Sequence, residues 1–256
     1  MTEYDGLAKY YDTEWRNLKQ DIEFLRDEAK KREGPVLELA CGTGRIMLPL
    51  ARDGHEVWGI DNSEKMLTIL DRKVNDLDAE LAGRLHYSAQ DMRDFSFDRK
   101  FNLIIIPFNS FLLLTERSDF DICLKNCYDH LQPGGTFIVD IFSPNFELCA
   151  IKEPKIQFLQ HFYDPATNKV VVQWEYAKRD MAKQLIDIDF LYEEYDRNGE
   201  VEQHTRNIKM SLIFRYEMRY LLEKSGFIVE QEFGDYDRSE IAAVSPQLIY
   251  IAKKGE

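Results

Sequence analysis

The chain has 256 residues and a formal net charge of −13, and its length allows one large domain or a core with an added lobe. This acidic balance, without a basic stripe, argues against a nucleic-acid or anionic-membrane partner and favours a small polar organic substrate. No apolar run reaches the roughly 18 residues of a membrane helix, and residues 1–12 lack the basic and the apolar segments of a signal peptide. We therefore expect a cytoplasmic protein.

The four cysteines lack the spacing of a zinc site or a disulfide framework. Cys41, Cys123, Cys127 and Cys149 include no C-x-x-C pair, and Cys123 and Cys127 lie at a helical spacing that is typical of burial. We therefore expect reduced, buried thiols and no bound metal.

The first 34 residues predict an N-terminal helical region. Residues 21–31 repeat apolar side chains with a helical period, and Tyr4, Tyr10 and Tyr11 crowd ahead of the first strand. Tyrosines of this kind usually pack on the surface of a helix, but their position also allows a lid over a site.

From residue 35 the chain alternates strands and helices. Strands are predicted at 36–40, 57–60, 85–88, 101–110 and 136–142, with helices through Arg52, at 64–77 and at 118–131. The run 101–110 is continuously apolar, which is typical of a central strand that is buried on both faces. This alternation predicts a parallel sheet with helices on both sides.

After residue 143 the pattern changes to strands alone. Segments 156–163, 170–177, 185–195 and 201–212 follow one another without helices, and turn signals occur at 164–168 and at Asn198-Gly199. We expect an inserted antiparallel meander. The α/β pattern then resumes with a helix at 216–225, a stop at Gly226 and strands from Phe227 and at 247–252.

The first strand ends in a turn that is built for a ligand. Gly42 and Gly44 remove side chains that would keep a nucleotide away, and the helix that follows offers unpaired N–H groups. Dinucleotide enzymes require a third glycine at the position where this chain has Met47. A nicotinamide-dependent oxidoreductase is therefore the weaker alternative.

Three acids accompany this turn in chain order. Glu38 lies inside the first strand, Asp61 ends the second and Asp91 ends the third. An acid at the end of the second strand can accept hydrogen bonds from both hydroxyls of a ribose, and Asp91 could accept one from an adenine amine. Each acid alone could be a cap or a solvated residue, but together they indicate a nucleoside site.

The motifs E-L-A-C-G-T-G, G-I-D-N-S, A-Q-D-M and L-Q-P-G-G resemble those of class I S-adenosylmethionine-dependent methyltransferases. The resemblance covers about 35–142 and 216–252. It implies a doubly wound, mostly parallel seven-stranded sheet of the Rossmann-like methyltransferase fold, S-adenosyl-L-methionine as the cofactor and no metal. Residues 1–34 would form the lid, 35–145 and 213–256 the cofactor-binding core, and 146–212 the inserted β lobe on the substrate side.

The resemblance also assigns roles to single residues. Glu38 would orient the methionine amine, Asp61 would bind the ribose, and Tyr11 would close over the cofactor and help to position the substrates. The full set that it places at the cofactor is Tyr11, Glu38, Ala40, Gly42, Gly44, Asp61, Asn62, Met66, Gln90, Asp91, Met92, Pro107 and Phe108.

The methyl acceptor is expected between the N-terminal segment and the lobe. Candidate contacts are Asn109, which could also position the acceptor, His161, Trp174 and Arg206. His161 or His204 could serve as a base, although aromatic and basic residues of a meander more often pack or form ion pairs. The role of 233–239 does not follow from its sequence.

We therefore expect an S-adenosylmethionine-dependent methyltransferase for a small molecule, acting as a monomer or homodimer. Nitrogen is favoured as the methylated atom, because a neutral amine needs no strong base in the attack. A non-catalytic S-adenosylmethionine-binding protein is the second alternative, since transfer by proximity requires no obligatory catalytic side chain.

Overall fold

The computed structural model describes residues 8–144, 149 and 155–255. Tyr4 and the start of the predicted lobe at 146 lie outside the described residues. Strands form a seven-stranded and a four-stranded sheet. The seven-stranded sheet contains β1 Val36–Leu39, β2 Val57–Asp61, β3 Leu85–Ala89, β4 Phe101–Ile106, β5 Leu131–Phe142, β10 Phe227–Phe233 and β11 Gln247–Lys254. The four-stranded sheet contains β6 Ile156–Asp164, β7 Lys169–Asp180, β8 Leu185–Tyr195 and β9 Val201–Ser211.

The helices of the described residues flank these strands as the sequence pattern predicts. Ser63 accepts a hydrogen bond from the Met66 N–H at 3.2 Å and so starts the helix Glu64–Asn75, and Gly226, with a φ of +93°, follows the helix Arg215–Lys224. The α-helices are α1 Ala8–Glu14, α2 Gln20–Lys30, α3 Met47–Arg52, α4 Glu64–Asn75, α5 Ala79–Ala82, α6 Arg117–His130 and α7 Arg215–Lys224, with a short 3-10 helix at Ser110–Leu113.

The seven-stranded sheet has the order β10-β11-β5-β4-β1-β2-β3. All neighbours from β5 to β3 are parallel, and β11 is antiparallel to both β5 and β10. The predicted doubly wound, mostly parallel sheet is confirmed. Chain order reverses between β1 and β4, and ligands bind at the carboxyl ends of strands beside such a reversal.

β4 is the central strand, as its composition predicts. Residues 103–106 are each at most 1% exposed, because β1 and β5 flank the strand and helices cover both faces of the sheet. The strand ends at Ile106, so the second half of the predicted segment is a turn followed by the 3-10 helix.

The fifth strand begins before the predicted residue 136, because residues 131–135 already belong to β5. A register shift against β4 lies between Phe101 and Leu103, and Gly134 has a φ of +71°. In addition, β7 and β8 are joined by a tight connection at 181–184, which the sequence did not signal.

The four-stranded sheet is a fully antiparallel meander, as predicted. We call the face that carries Phe162, Val171 and Tyr192 the covered face, because these side chains are at most 7% exposed. Tyr10 of α1 stacks on Tyr192 with ring centroids 5.1 Å apart. The Ser211 hydroxyl donates to the Leu114 carbonyl at 2.7 Å, which ties β9 to the segment after the 3-10 helix. The covered face therefore lies against the N-terminal helix and the loops of the larger sheet.

All four cysteines are free. Cys41, Cys123 and Cys127 are buried and Cys149 is half-buried. In the described part of the chain, no helix combines the length and the apolar character needed to cross a bilayer.

Candidate functional site

The turn after β1 adopts a backbone that favours glycine. Ala40, Gly42 and Gly44 have φ values of +57°, +54° and +80°. A Cβ on Gly44 would lie 2.5 Å from Leu70 Cδ1, whereas a Cβ on Gly42 would meet no atom closer than 4.0 Å. Glycine is thus favoured at Gly44 by both φ and packing, and at Gly42 by φ alone, with open space beside it.

Met47 accounts for the missing third glycine. Its side chain is fully buried, and a Cβ on Gly59 of β2 would lie 2.5 Å from Met47 Sδ. The close approach of α3 to the sheet is therefore made by a glycine on the strand instead of one on the helix.

Asp61 closes the turn from the end of β2. Its carboxylate accepts the Gly42 N–H at 2.8 Å and the Ser63 N–H at 2.7 Å, and the residue is 8% exposed. These contacts fix the carboxylate beside the glycine turn. A carboxylate can accept about four hydrogen bonds, so this anchoring is compatible with ligand hydroxyls.

Glu38 is a buried acid with an unsatisfied oxygen. It is 2% exposed, and its Oε2 atom has no hydrogen-bond partner within the described residues. Burial raises the pKa of Glu38 well above its ordinary value, the nearby Arg45 opposes this shift, and the Asp61 charge adds to it. A buried acceptor of this kind is a position that fits a hydrogen-bond donor of a ligand.

Helix α1 is tied to the glycine turn. The Asp12 carboxylate accepts the Thr43 hydroxyl at 2.7 Å and pairs with Lys73 Nζ at 2.7 Å. Lys73 also donates to the Thr43 carbonyl at 2.8 Å. Two elements of the core therefore hold the N-terminal helix over the carboxyl end of β1.

Arg45 is a residue that the sequence reasoning missed. Its guanidinium pairs with the fully buried Asp21 at 3.0 Å and lies 4.8 Å from the ring centroid of Phe108. Burial raises the pKa of Tyr11 to about 12, although the neighbouring Arg45 opposes the shift. The available signal was its place directly after the second glycine, at the start of the next helix.

The turn after β4 is held by Asp140 at the far end of β5. Phe108 and Asn109 have φ values of +57° and +64°, and the Phe108 N–H donates to Asp140 Oδ2 at 2.8 Å. The Tyr236 hydroxyl donates to the same oxygen at 2.8 Å. The loop 233–239, which the sequence left without a role, therefore supports this turn. Burial is the main reason that the pKa of Asp140 is raised to about 7.

The end of β3 is built around an ion pair. Arg93 binds Asp91 at 2.6 Å and Asp119 at 2.8 Å, and this pairing lowers the pKa of Asp91. Gln90 accepts the Ser96 N–H at 3.0 Å and donates to Ser88 at 2.8 Å. An adenine amine that binds Asp91 would therefore compete with Arg93 for this carboxylate or lie beside it. The sequence analysis did not include Arg93.

These elements surround a cavity of about 350 Å³. Glu38, Gly44 and Pro107 do not line it, although Glu38 and Gly44 lie in the strand and turn beneath. Its lining includes ten of the thirteen residues predicted at the cofactor, namely Tyr11, Ala40, Gly42, Asp61, Asn62, Met66, Gln90, Asp91, Met92 and Phe108. Further lining residues are Arg93, Ser110, Leu113, Leu114, Thr115 and Asp119.

The residues predicted at the acceptor are spread over different surfaces. Asn109 lies beside the cavity, and its Oδ1 atom is buried without a partner in the described residues. His161 is exposed and alternates with Gln160 and Phe162, so it points away from the covered face. Trp174 shares that outer face and donates to Glu193 at 3.0 Å. The structure does not bring His161 and Trp174 to the cavity.

Arg206 and His204 lie on the covered face. Arg206 is opposite Phe190, and His204 is opposite Tyr192. His204, Glu194 and Glu202 place possible metal ligands within 4.8 Å of one another. Lys169 binds both glutamates at 2.8 Å and Lys9 also pairs with Glu194, so two lysines balance the two glutamates in an ion-pair cluster.

A family model described as a methyltransferase domain matches residues 36–135. The YqeM protein of Bacillus subtilis is 29% identical over 99% of this chain and 98% of its own length. An uncharacterized methyltransferase of Staphylococcus carnosus is 30% identical over 63% of this chain and 73% of its own length. The dTDP-3-amino-3,6-dideoxy-alpha-D-glucopyranose N,N-dimethyltransferase of Streptomyces fradiae is 24% identical over 90% of this chain and 87% of its own length.

The fold is also similar to that of solved structures. An S-adenosylmethionine-dependent methyltransferase from Clostridium acetobutylicum superimposes with a TM-score of 0.81, at 19% identity and over 100% of both chains. That superposition includes the four-stranded sheet as well as the seven-stranded one.

Proposed function

The chain belongs to the class I S-adenosylmethionine-dependent methyltransferases, and on this premise we propose that it methylates the nitrogen of a small-molecule amine. The observation that carries the proposal is the similarity to the amino-sugar N,N-dimethyltransferase of Streptomyces fradiae, which extends over 90% of this chain. The similarity therefore includes the inserted sheet and not the cofactor-binding core alone. The net charge of −13 is consistent with a substrate smaller than a nucleic acid.

S-adenosyl-L-methionine is the methyl donor of this enzyme. We propose that Asp61 binds its ribose hydroxyls and that Glu38 accepts from its methionine amine. Asn62, Met66 and the residues 90–92 would surround the adenine. The orphaned Glu38 oxygen and the open space above Gly42 support this assignment, because both fit a ligand that brings a donor and needs close backbone approach.

The other predicted cofactor residues are proposed to shape the walls of the cofactor site. Ala40, Gly42 and Gly44 set the left-handed turn, while Tyr11, Pro107 and Phe108 bound the methionine end. Arg45 would orient this end by holding Phe108 and Tyr11 in place. Asn109 would face the acceptor, for which its unpartnered buried oxygen is the support.

The bound donor supplies an activated sulfonium methyl group. The residues of this chain have to align the acceptor nitrogen and exclude water, and alignment alone can contribute roughly 7–11 kcal/mol. The tether from Asp12 to the glycine turn and the anchoring of Phe108 by Asp140 are suited to that task. Family membership contradicts the nicotinamide alternative.

An acceptor panel with methyl-labelled S-adenosylmethionine tests the proposal. The panel contains dTDP-3-amino-3,6-dideoxy-α-D-glucopyranose, glycine and a series of primary amines, each paired with the analogue in which a hydroxyl replaces the amine. We expect label to appear in at least one amine and in none of the hydroxyl analogues. Transfer to hydroxyl analogues alone would rule out N-methylation, and no transfer to any acceptor would favour the non-catalytic alternative.

We also propose how the chain is divided around the site. The cofactor-binding core would consist of residues 35–145 and 213–256, the lid of 1–34 and the substrate lobe of 146–212. The protein would be a cytoplasmic monomer or homodimer. Light scattering on the purified protein would distinguish the two oligomeric states.

A further inference from the structure

The covered face of the four-stranded sheet carries polar side chains in its middle. Apolar rows lie on either side, with Phe162 opposite Val171 and Ala177 opposite Ile188. Between them, two neighbouring cross-strand rows are largely polar. We call five of their polar members the polar strip, which consists of Gln160, Gln173, Glu175, Tyr192 and Arg206. Another polar member, His204, belongs to the ion-pair cluster with Glu194 and Glu202.

Helix α1 adds a carboxylate to this strip. Gln160 Nε2 lies 3.4 Å from Glu14 Oε1 and 2.9 Å from Gln173 Oε1, and Gln173 Nε2 donates to the Tyr192 hydroxyl at 2.9 Å. Gln173 and Tyr192 are each 1% exposed and also hydrogen-bond the Glu14 carboxylate. Glu14, which is itself half-buried, is thus in a hydrogen-bond network with neutral side chains, two of which are buried.

This network contains no cation for the acid. Among the described residues, no lysine, arginine or histidine forms an ion pair with Glu14. Burial raises the pKa of Glu14 to about 7, and the hydrogen bonds of the network oppose that shift. An unsatisfied group lies close by: within the described residues, the buried hydroxyl of Tyr10, whose ring stacks on Tyr192, has no hydrogen-bond partner. Unpaired buried groups of this kind are unfavourable unless a ligand completes them.

Helix α1 connects the network to the candidate methyl-transfer site. Glu14 is one helical turn beyond Tyr11, which lines the cavity, and it precedes Trp15. The Trp15 ring packs edge-on against Phe108, with centroids 4.9 Å apart, and Phe108 lines the same cavity. Glu14 and the polar strip do not line the cavity itself, so an acceptor would reach them only by extending from Tyr11 along helix α1.

Resting on the proposed N-methyltransferase function, we propose that the Glu14 carboxylate binds the acceptor amine as its ammonium ion and accepts one proton from it, while the polar strip binds the hydroxyls of the acceptor. The proton transfer leaves a neutral carboxylic acid and an amine lone pair. That lone pair forms the new N–C bond to the donated methyl as the C–S bond of the donor breaks, with its electron pair staying on sulfur. Glu14 then releases the proton to solvent, and the methylated ammonium departs.

The pH dependence of the reaction should follow the ionisation of Glu14. The charged groups that face it are Lys9 on the same helix α1, Glu175 on β7, Glu194 on β8, and His204 and Arg206 on β9. Lys9 already pairs with Glu194. Only the ionised Glu14 can receive the proton, so kcat/KM should rise as the pH increases through about 7.

The test compares Glu14→Gln with wild type, using the amine from the panel that the wild type methylates fastest. We expect kcat/KM to fall roughly 100-fold and the rise near neutral pH to disappear. Glu14→Asp should keep that rise with an intermediate rate. Calorimetric binding of the same amine to the S-adenosylhomocysteine complex should weaken in Glu14→Gln, whereas the affinity for S-adenosylhomocysteine itself should not change.

Glu33→Gln is the matched control, because Glu33 is exposed and far along the chain from the strip. Unchanged kcat/KM and an unchanged pH profile in Glu14→Gln would overturn the assignment while the N-methyltransferase function stands. A wild type that methylates no amine would remove the proposed function itself. A Glu14→Gln protein that no longer binds S-adenosylhomocysteine would mean that Glu14 supports the fold, which also contradicts the proposal.

Discussion

The carboxyl edge of the seven-stranded sheet and the covered face of the four-stranded sheet build their sites by different means. At the edge, carboxylates hold backbone N–H groups, with Asp61 on Gly42 and Asp140 on Phe108. On the covered face, side chains hold one another, as Gln160 and Gln173 do. The first arrangement fixes the backbone of each turn, and with it the direction from which a ligand can approach that backbone. The second can be changed by single substitutions without altering the path of the chain, so it is the better place for acceptor specificity.

Gly44→Ala should have the largest effect, because it disrupts the glycine turn at the carboxyl edge of the seven-stranded sheet. The left-handed φ costs an alanine about 1–2 kcal/mol, and the overlap with Leu70 adds roughly 1–3 kcal/mol. Chemical denaturation should therefore show a clear loss in the free energy of unfolding. Gly134→Ala is the matched control, because Gly134 has a φ of +71° but no atom within 4 Å of an added Cβ. Equal losses in the two variants would refute the packing role of Gly44.

Asp61→Ala tests the same edge through binding. It removes a carboxylate that two backbone N–H groups share and that we propose to bind the ribose. Charge-assisted hydrogen bonds are each worth about 1.5–3 kcal/mol, so titration calorimetry should show S-adenosylhomocysteine binding weakened roughly 100-fold. Asp98→Ala, at an exposed position, should leave the affinity unchanged. Wild-type affinity in Asp61→Ala would contradict the ribose assignment.

Asp140→Asn separates the anchoring of the β4 turn from its charge. The pKa of Asp140 is about 7 in the folded protein and about 3.9 in an unfolded chain. Between these values the folded state holds a proton that the unfolded state has lost, so wild-type stability falls as the pH rises from about 4 to about 7. The variant should gain stability relative to wild type over this range, by up to about 4 kcal/mol. Parallel stability curves for the two proteins would show that Asp140 has an ordinary pKa.

Asp12→Asn should have a smaller effect on the same edge. The Asp12 side chain is 40% exposed, so its pair with Lys73 is worth only about 0.2–1 kcal/mol. We expect faster release of S-adenosylhomocysteine, by roughly threefold, with little change in the unfolding free energy. Stopped-flow fluorescence would measure the rate at which S-adenosylhomocysteine is released. A rate equal to that of wild type would show that the contacts of Asp12 do not hold the N-terminal helix over the site.

His161→Ala should have the smallest effect of all and sharpens the comparison between the faces of the lobe. Since His161 lies on the outer face, its loss should leave kcat/KM for the reactive amine within experimental error. A large loss would return His161 to the acceptor site and contradict the orientation argued from strand alternation.

The sequence was informative where the backbone decides the structure. Gly42, Gly44 and Asp61 were predictable because left-handed turns and strand ends restrict residue types strongly. The lobe was harder, because aromatic residues occur on both of its faces and alternation alone does not tell which face is covered. The pair of Tyr236 and Asp140 joins positions 96 residues apart, and Glu14 meets β6 across 146 residues. Such contacts depend on how separate elements pack, which no local pattern contains.

The burial of three of the four cysteines gives the native protein a single reactive handle. A thiolate is the species that attacks alkylating reagents, and burial raises the pKa of the Cys41 and Cys127 thiols well above the usual range. Cys149 is half-buried and lies in the chain between β5 of the larger sheet and β6 of the smaller one, so it is the thiol that a maleimide can reach. A native chain should therefore take up one label and an unfolded chain four. A fluorophore at this natural position would report on the junction of core and lobe while donor and acceptor bind, without any engineered residue.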